Sequence, residues 1–367
     1  MSEAGPINLE NSVNPSQMNS APALLLSIII PTRDSETTLG ECLRSIRENG
    51  YSNYELIIID GGSRDRTLEI ARAYTDKIIR QNPADGREEA RNLGYAETRG
   101  DIIVCTDSDN VLEKGALEKM ARYFLSHPEV DAVTGMNTRE TPAANFASQY
   151  KNLYLYRNFR RLPPEVDFLY GSLYGVRKAD YPLTTMWVDD TARGQELASS
   201  NKRIRFLPEL KTVHLKRYSL VSLLVNDFQI PYGWAQIFMK YQGWRRLLGA
   251  PRRGYSHVSP DQLASLILSP FLGVTAAAAF IIPVIFPLAF ILGCLWIYLN
   301  RSLFRILAGE KGFFFMLTGM AFTWVDHCVM LAGVTAGVEV YLGRRFSQPR
   351  VPDQAEVETA SRRHEPK

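Results

Sequence analysis

The sequence has few cysteines and little net charge, and both shortages restrict what the protein can do. Its four cysteines are scattered and none forms a Cys-x-x-Cys pair, so neither a zinc site nor a disulfide framework is indicated. We therefore expect the soluble part to face a reducing cytosol. The 42 Lys and Arg residues nearly balance the 39 Asp and Glu residues, at a net charge of +3. Such a balance does not indicate nucleic acid as a partner.

Both ends of the chain lack hydrophobic periodicity. Residues 1–23 are rich in Ser, Asn and Pro, which predicts a disordered tail. No basic stretch followed by an apolar core opens the chain, so we expect no signal peptide. Residues 343–367 are polar and charged and predict a second disordered tail.

Charge is absent from one long stretch near the carboxyl end. Residues 263–299 contain no Asp, Glu, Lys or Arg, whereas ~20 apolar residues suffice to cross a bilayer. Pro283 and Pro287 near its middle favour two spans joined by a tight turn over one very long helix. A third apolar stretch, at 313–342, carries Asp326 and His327. Residues 263–342 therefore predict two to three transmembrane helices, although a short apolar run can also be a buried core helix.

Residues 219–262 mix aromatic and basic side chains. This mixture is typical of a bilayer interface, but an amphipathic helix packed on the soluble domain would have the same composition. Basic residues flank the charge-free stretch and follow the third apolar stretch. Because basic residues favour the cytosolic side of a membrane, this pattern assigns both ends of the charge-free stretch and the end of the third stretch to the cytosol. Three membrane spans cannot satisfy all of these assignments. Either the last segment is re-entrant or interfacial, or the charge rule fails once.

Residues 24–218 alternate short apolar runs with helical patterns. Apolar runs occur near residues 24–31, 56–60, 77–79, 101–106 and 130–134. Helical spacing follows most of them, as in Leu39, Cys42, Leu43 and Ile46. This alternation predicts an α/β domain with a mostly parallel sheet and helices on both faces.

Polar residues follow three of these predicted strands. The segments are Pro31-Thr32-Arg33-Asp34, Asp60-Gly61-Gly62-Ser63 and Asp107-Ser108-Asp109. Ligands bind at the carboxyl ends of strands in such sheets, so we expect these segments to share one crevice. An Asp-x-Asp at a strand end can hold Mg²⁺ or Mn²⁺ against a diphosphate, although by itself it is often a solvated turn or a helix cap.

Other candidates have both a structural and a functional interpretation. Asp60 is either a turn residue beside two glycines or a ligand for a nucleobase N–H. Arg87 and Arg91 are either exposed helix residues or ligands for a diphosphate. Asp189-Asp190 is either a helix N-cap or the site of a general base. His214 is either structural or part of the metal shell.

In combination and order, these residues resemble the family 2 glycosyltransferases over about residues 27–233. The resemblance rests on Ser-Ile-Ile-Ile-Pro-Thr-Arg-Asp at 27–34, Leu-Ile-Ile-Ile-Asp-Gly-Gly-Ser at 56–63, Ala-Arg-Asn-Leu-Gly at 90–94 and Asp-Ser-Asp at 107–109. It implies the GT-A nucleotide-diphospho-sugar transferase fold, inversion at the anomeric carbon and a divalent metal.

The resemblance also implies roles for single residues. Asp60 would contact the nucleobase, Asp107 and Asp109 would hold the metal and the nucleotide, and Asp190 would be the base. His214 matches a histidine that often closes the catalytic domain. Two positions depart from the pattern: Asp189 and Ser35 both stand where Glu is usual. The predicted nucleotide-sugar ligands are Pro31, Thr32, Asp60, Arg87, Arg91 and Asp107, the predicted metal ligands are Asp107, Asp109 and His214, and the predicted catalytic pair is Asp189 and Asp190.

These features lead to one hypothesis and two rivals. The hypothesis is an inverting, metal-dependent glycosyltransferase on the cytosolic face of the plasma membrane. The donor is a UDP-, GDP- or dTDP-sugar, and the acceptor is a polyprenyl-linked or other lipid-linked glycan. We expect one sugar to be added per encounter, because no Gln-x-x-Arg-Trp motif of the processive synthases follows the base. One rival is a polyprenyl-phosphate sugar synthase, and the other is a non-catalytic membrane protein that binds a nucleotide sugar.

Overall fold

Apolar strands alternate with amphipathic helices through the first two thirds of the described chain. The computed structural model describes residues 23–186, 188–242 and 256–347, and the side chains of Arg87, Asp189 and residues 345–347 lie outside that description. Most of the two predicted tails and the basic, aromatic segment 243–255 also lie outside it. Strands β1 to β9 are Leu26–Thr32, Tyr54–Asp60, Ile78–Arg80, Ile102–Cys105, Asn110–Leu112, Ala132–Asn137, Glu165–Val166, Tyr174–Arg177 and Ile204–His214. Helices α1 to α7 are Leu39–Arg47, Thr67–Arg72, Arg87–Ala96, Ala116–Ser126, Phe146–Phe159, Asp189–Ser199 and Leu220–Lys240.

The strands form one sheet with the order β3-β2-β1-β4-β8-β6-β9-β5, and β7 pairs with β9. Strands β1 to β4 pair in parallel, whereas β8 runs antiparallel to both of its neighbours. The predicted α/β class is confirmed, but the sheet is mixed rather than mostly parallel. The parallel half carries the three strand ends that the sequence singled out.

Two apolar layers cover the sheet. One layer packs α1 and α4 against strand residues such as Ile28, Ile30 and Val104. The other packs against the opposite face, through residues such as Ile29, Ile103 and Tyr174. Successive residues of one strand point to opposite faces, so a strand covered on both sides has a continuous apolar run. That is the pattern of Ile28-Ile29-Ile30 in β1.

One predicted helix begins later than its apolar pattern suggested. The apolar spacing of residues 112–125 predicts one helix over that range, but α4 begins at Ala116. Residues 110–112 instead form β5, which pairs antiparallel with Thr212–His214 of β9. This pairing lies next to Asp109 and brings it close to His214.

Three further helices follow the α/β domain: α8, Pro260–Ile281, α9, Phe286–Lys311, and α10, Phe313–Ser347. All three are long and apolar enough to cross a membrane. A short 3-10 helix at Pro283–Ile285 turns the chain between α8 and α9, so the predicted helical hairpin is confirmed. Large apolar side chains point outward, and Phe280 is 92% exposed, as expected for a surface covered by lipid.

An apolar cluster joins the α/β domain to these helices. Tyr150, Leu153 and Tyr154 of α5 pack with Trp296, Leu303 and Phe304 of α9 and with Met330 of α10. Helix α7, in the predicted interface segment, also packs along α10. Helices α5 and α7 therefore connect the α/β domain to the candidate membrane-crossing helices.

Candidate active site

The carboxyl ends of β1, β2 and β4 open into one cleft of about 570 Å³. Pro31, Thr32, Gly61 and the whole Asp107-Ser108-Asp109 segment line it, as the sequence predicted. The hydroxyl Oγ1 of Thr32 is buried and has no hydrogen-bond partner within the described part of the chain. A buried hydroxyl of this kind is suited to a ligand atom, since an unsatisfied polar group is costly.

Arg91 fixes the first carboxylate of the Asp-x-Asp segment. Its Nη2 lies 2.7 Å from Asp107 Oδ1, and its side chain is 2% exposed. The guanidinium also lies over the ring of Tyr174, 5.9 Å from the centroid. Arg91 thus lines the cleft and contacts the Asp107 carboxylate there, whereas its contact with a diphosphate stays a prediction. The side chain of Arg87 lies outside the description, so its predicted role has no structural test.

Asp109 is held by the β5–β9 pairing. Its carbonyl oxygen accepts a hydrogen bond from the backbone N–H of Leu215 at 2.8 Å. Its Oδ2 lies 3.4 Å from His214 Nε2. The structure therefore places Asp109 beside His214, and Asp107, the third predicted metal ligand, lines the same cleft.

Asp190 occupies the opposite wall, at the start of α6. Its Oδ2 accepts a hydrogen bond from the backbone N–H of Gly171 at 2.7 Å, and its Oδ1 accepts one from Thr191 at 2.7 Å. A Cβ atom at Gly171 would lie 3.0 Å from Asp190 Oδ2 and 3.5 Å from Asp107 Oδ2. Both carboxylates therefore border one glycine. The side chain of its predicted partner, Asp189, is not described.

The three carboxylates also affect neighbouring groups. Burial raises the pKa of the Tyr170 phenol, and Asp190, Asp107 and Asp109 raise it further. Burial also raises the pKa of the Cys42 thiol, with added effects from Asp109 and Asp107. Both groups stay protonated at neutral pH, so neither supplies a base or a nucleophile here.

Asp60 lies beneath the cleft and stabilises a turn. It is 1% exposed, and its carboxylate accepts hydrogen bonds from the backbone N–H groups of Gly62 and Ser63 at 3.2–3.3 Å. This is the turn interpretation of the residue. Its contact with a nucleobase stays a prediction.

Sequence reasoning missed much of the other end of the cleft. Lys151 of α5, Asn226 of α7 and His257, just before α8, line it together with Lys216 and Ile230. These residues are far apart in sequence and belong to no motif. Ser35, where the family pattern has Glu, also lines the cleft, and its Oγ lies 3.0 Å from Ser108 Oγ.

The cleft can bind an anion against a cation and present a base to a second substrate. Asp107 and Asp109 supply the carboxylate oxygens that Mg²⁺ and Mn²⁺ favour. Among the described residues, no group of three or more His, Cys, Asp or Glu side chains is arranged to hold a metal ion. Mg²⁺ is often held by only one or two carboxylates together with substrate phosphates and water, so the donor set fits a cation that arrives with a diphosphate.

Residues 27–181 match the model of the family described as Glycosyl transferase family 2. An uncharacterised glycosyltransferase of Haemophilus influenzae is 36% identical over 108 residues, which are 28% of this chain and 43% of the relative. A PGL/p-HBAD biosynthesis glycosyltransferase of Mycobacterium tuberculosis is 33% identical over 119 residues, which are 31% of this chain and 46% of the relative. The chain thus spans less than half the length of these relatives.

One solved structure is similar along most of the chain. It is the mannosyltransferase PcManGT from Pyrobaculum calidifontis in complex with GDP-Man and Mn²⁺. The TM-score is 0.49, the sequence identity is 17%, and the match covers 86% of this chain and 86% of that one.

Proposed function

We propose that this chain, whose residues 27–181 match the family 2 glycosyltransferases and whose strands form a mixed sheet, performs an inverting, metal-dependent sugar transfer to a membrane lipid-linked glycan. The observation that carries this proposal is that Asp107 and Asp190 lie on either side of Gly171 in one cleft. One carboxylate belongs to the strand end expected to face the donor diphosphate. The other belongs to the start of α6, on the opposite wall of the cleft, where we expect the acceptor to bind.

The donor occupies the end of the cleft formed by β1, β2 and β4. Pro31, Thr32 and Gly61 line this end, and the Thr32 hydroxyl is available to a polar ligand atom. Asp107 and Asp109 would hold the divalent cation, and Arg91 keeps Asp107 oriented. When bound, the cation neutralises the charge that develops on the leaving nucleoside diphosphate.

Asp190 is the base on the acceptor side. Two backbone hydrogen bonds fix its carboxylate, which therefore needs no reorientation when the acceptor binds. It takes the proton from the acceptor hydroxyl as that oxygen attacks the anomeric carbon. The bond between the anomeric carbon and the diphosphate oxygen breaks on the opposite face, and this displacement inverts the configuration.

The acceptor is proposed to reach this base from the membrane. Helices α5 and α7 contribute Lys151, Asn226 and Ile230 to the cleft, and they pack against the membrane-crossing candidates α9 and α10. Basic residues flank the charge-free stretch, which favours the cytosolic side for the catalytic domain. A plasma-membrane protein with its catalytic domain in the cytosol fits this arrangement.

A panel of donors tests the proposal. Purified protein in detergent is incubated with UDP-, GDP- and dTDP-sugars, Mn²⁺ or Mg²⁺, and native membrane lipid. We expect release of nucleoside diphosphate from one donor class and incorporation of the labelled sugar into the lipid fraction. Donor binding without turnover for any combination would favour a non-catalytic binding protein instead.

A further inference from the structure

A lysine of the catalytic cleft forms an ion pair with a buried carboxylate of α7, and a second buried carboxyl group, from α10, lies beside that carboxylate. Lys151 Nζ donates a hydrogen bond to Asp227 Oδ1 of α7. The carboxyl group of Asp326, in α10, adjoins that of Asp227. Asp227 is 1% exposed and Asp326 is 0% exposed. Three elements that are distant in sequence therefore meet at one buried charged group.

Buried charges are costly unless they are paired and hydrogen-bonded, so a charged group retained inside a helix contact is often functional. An apolar contact between α5, α7 and α10 would join these helices at lower cost. Asp227 accepts a hydrogen bond from the ammonium group of Lys151, and Lys151 lines the cleft, whereas Asp227 is buried. The arrangement holds a cation at a fixed point of the wall.

The neighbours of Lys151 in the cleft are also hydrogen-bond donors. Asn226 Nδ2 donates to the same oxygen, Asp227 Oδ1, at 2.9 Å, which places its amide next to the lysine. His257 lies nearby: burial first and then Lys151 lower its pKa to about 4, so its imidazole is neutral at pH 7. Lys216 lines the same cleft. An ammonium group has three N–H donors, and Asp227 takes one of them.

This donor-rich wall lies beside the helices that can cross a membrane. It shares the cleft with Asp190, and it is made by the elements that pack on α9 and α10. A group bound there is close to the acceptor hydroxyl and to the bilayer. Ammonium, amide and imidazole N–H groups together are suited to phosphate oxygens.

Resting on the proposed sugar transfer, we propose that Lys151 determines acceptor specificity by binding a phosphate of the lipid-linked acceptor. Asp227 and Asp326 are the positioning residues that hold Lys151 toward the cleft. The phosphate is bound and is not the nucleophile, because Asp190 serves a hydroxyl. Membrane helix α10 thereby contributes to the choice of acceptor.

The test compares two acceptors that differ in charge. One is a sugar on a short isoprenyl diphosphate, and the other is the alkyl glycoside of the same sugar, assayed for each candidate sugar. Lys151→Met alone would leave Asp227 buried without its cation, so the main variant is the double substitution Lys151→Met with Asp227→Asn. Lys119→Met, at an exposed position of α4, is the matched control. A second variant, Asp326→Asn, tests the positioning role.

We expect the wild type to favour the diphosphate-linked acceptor. The double variant should raise KM for that acceptor about tenfold or more, with kcat and the KM of the neutral glycoside changed less than about twofold. Asp326→Asn should raise the same KM selectively, and Lys119→Met should change neither. A buried structural role would instead alter both acceptors equally.

Three results would overturn the inference: equal use of the two acceptors by the wild type, equal effects of the double variant on both, or inhibition by vesicles of anionic phospholipid as strong as that by the isoprenyl diphosphate. The last result would identify the site as a general headgroup site. Failure of the underlying sugar transfer is distinguishable from all three, because no acceptor would then be glycosylated even though the donor is bound.

Discussion

Arg91 donates a hydrogen bond from Nη2 to Asp107 Oδ1 at 2.7 Å, and its side chain is almost fully buried. A helix residue thus fixes the orientation of a carboxylate that ends the neighbouring strand. The pair lies in the cleft, and only 2% of the Arg91 side chain is exposed. We propose that Arg91 keeps Asp107 in the geometry that a donor diphosphate and its cation need.

Replacing Arg91 should therefore impair both stability and donor use. Arg91→Met leaves Asp107 beside a buried apolar side chain, which should lower the free energy of unfolding by about 2–4 kcal/mol. We expect kcat/KM for the donor to fall about 10- to 100-fold. Thermal unfolding in detergent and initial rates measure the two effects. Arg122→Met, which removes an exposed i,i+4 pair with Glu118, should change both little, and an equally small effect of Arg91→Met would contradict the positioning role.

Asp109 should be essential for the cation. Asp109→Asn keeps the size of the side chain but removes its charge, so we expect turnover to fall at least about 100-fold, and chelation by EDTA should abolish wild-type turnover until Mn²⁺ or Mg²⁺ is restored. Asp76→Asn, in an exposed turn before β3, is the matched control. Turnover retained by Asp109→Asn, or undiminished after chelation, would rule out the metal mechanism.

Gly171 should tolerate no side chain without a loss of activity. Its backbone N–H binds Asp190, and an added Cβ would approach Asp190 Oδ2 to 3.0 Å and Asp107 Oδ2 to 3.5 Å. Gly171→Ala should therefore displace the base and lower kcat about 10- to 100-fold. The apparent Tm, measured in parallel, should fall by only a few degrees. Gly309→Ala, where a Cβ meets no atom within 4 Å, should leave kcat unchanged, whereas a wild-type kcat for Gly171→Ala would show that the base is not held there.

Glu55 should make the α/β domain sensitive to acid. Burial alone would raise the pKa of Glu55, but hydrogen bonds from Lys77, Ser27 and Arg99 outweigh it and lower the pKa from 4.5 to about 2. A depressed pKa stabilises the fold above the unfolded-state value, and this contribution is lost as the pH falls from about 4.5 through about 2. Glu55→Gln should lower the free energy of unfolding at pH 7 by about 1–3 kcal/mol. The difference in the free energy of unfolding between Glu55→Gln and the wild type should shrink as the pH falls from about 4.5 to about 2. A difference that stays constant over this range would contradict the lowered pKa of Glu55.

The sequence allowed prediction of the elements that are defined by local patterns. Strands β1, β2 and β4 each contain a continuous apolar run because both faces of the sheet are covered, and Pro283 and Pro287 mark the turn of the hairpin. The central strand β8, Tyr174–Arg177, has no such signature. It is defined by its pairing with β4 and β6, which are contacts over a long sequence distance.

The residues of the candidate site also fall into those with a local sequence pattern and those without one. Asp107, Asp109 and Asp190 lie in motifs, and the structure brings them to one cleft. Lys151, Asn226 and His257 come from three elements separated by tens of residues, so only tertiary packing brings them together. Asp60 differs from both groups. The sequence predicted its turn contacts as one of two alternatives, but it gave no reason to prefer them to a contact with the nucleobase.

The role of Asp190 as the base for an acceptor hydroxyl is the central claim, and Asp190→Asn tests it most directly. The measurement is the rate of lipid glycosylation at saturating donor, together with donor affinity, for the wild type and Asp190→Asn. We predict that kcat falls about 10²- to 10⁴-fold while donor affinity changes less than about twofold. A rate within about twofold of the wild type would contradict the account, because an acceptor that needs no base is already ionised, as the phosphate of a polyprenyl-phosphate sugar synthase is.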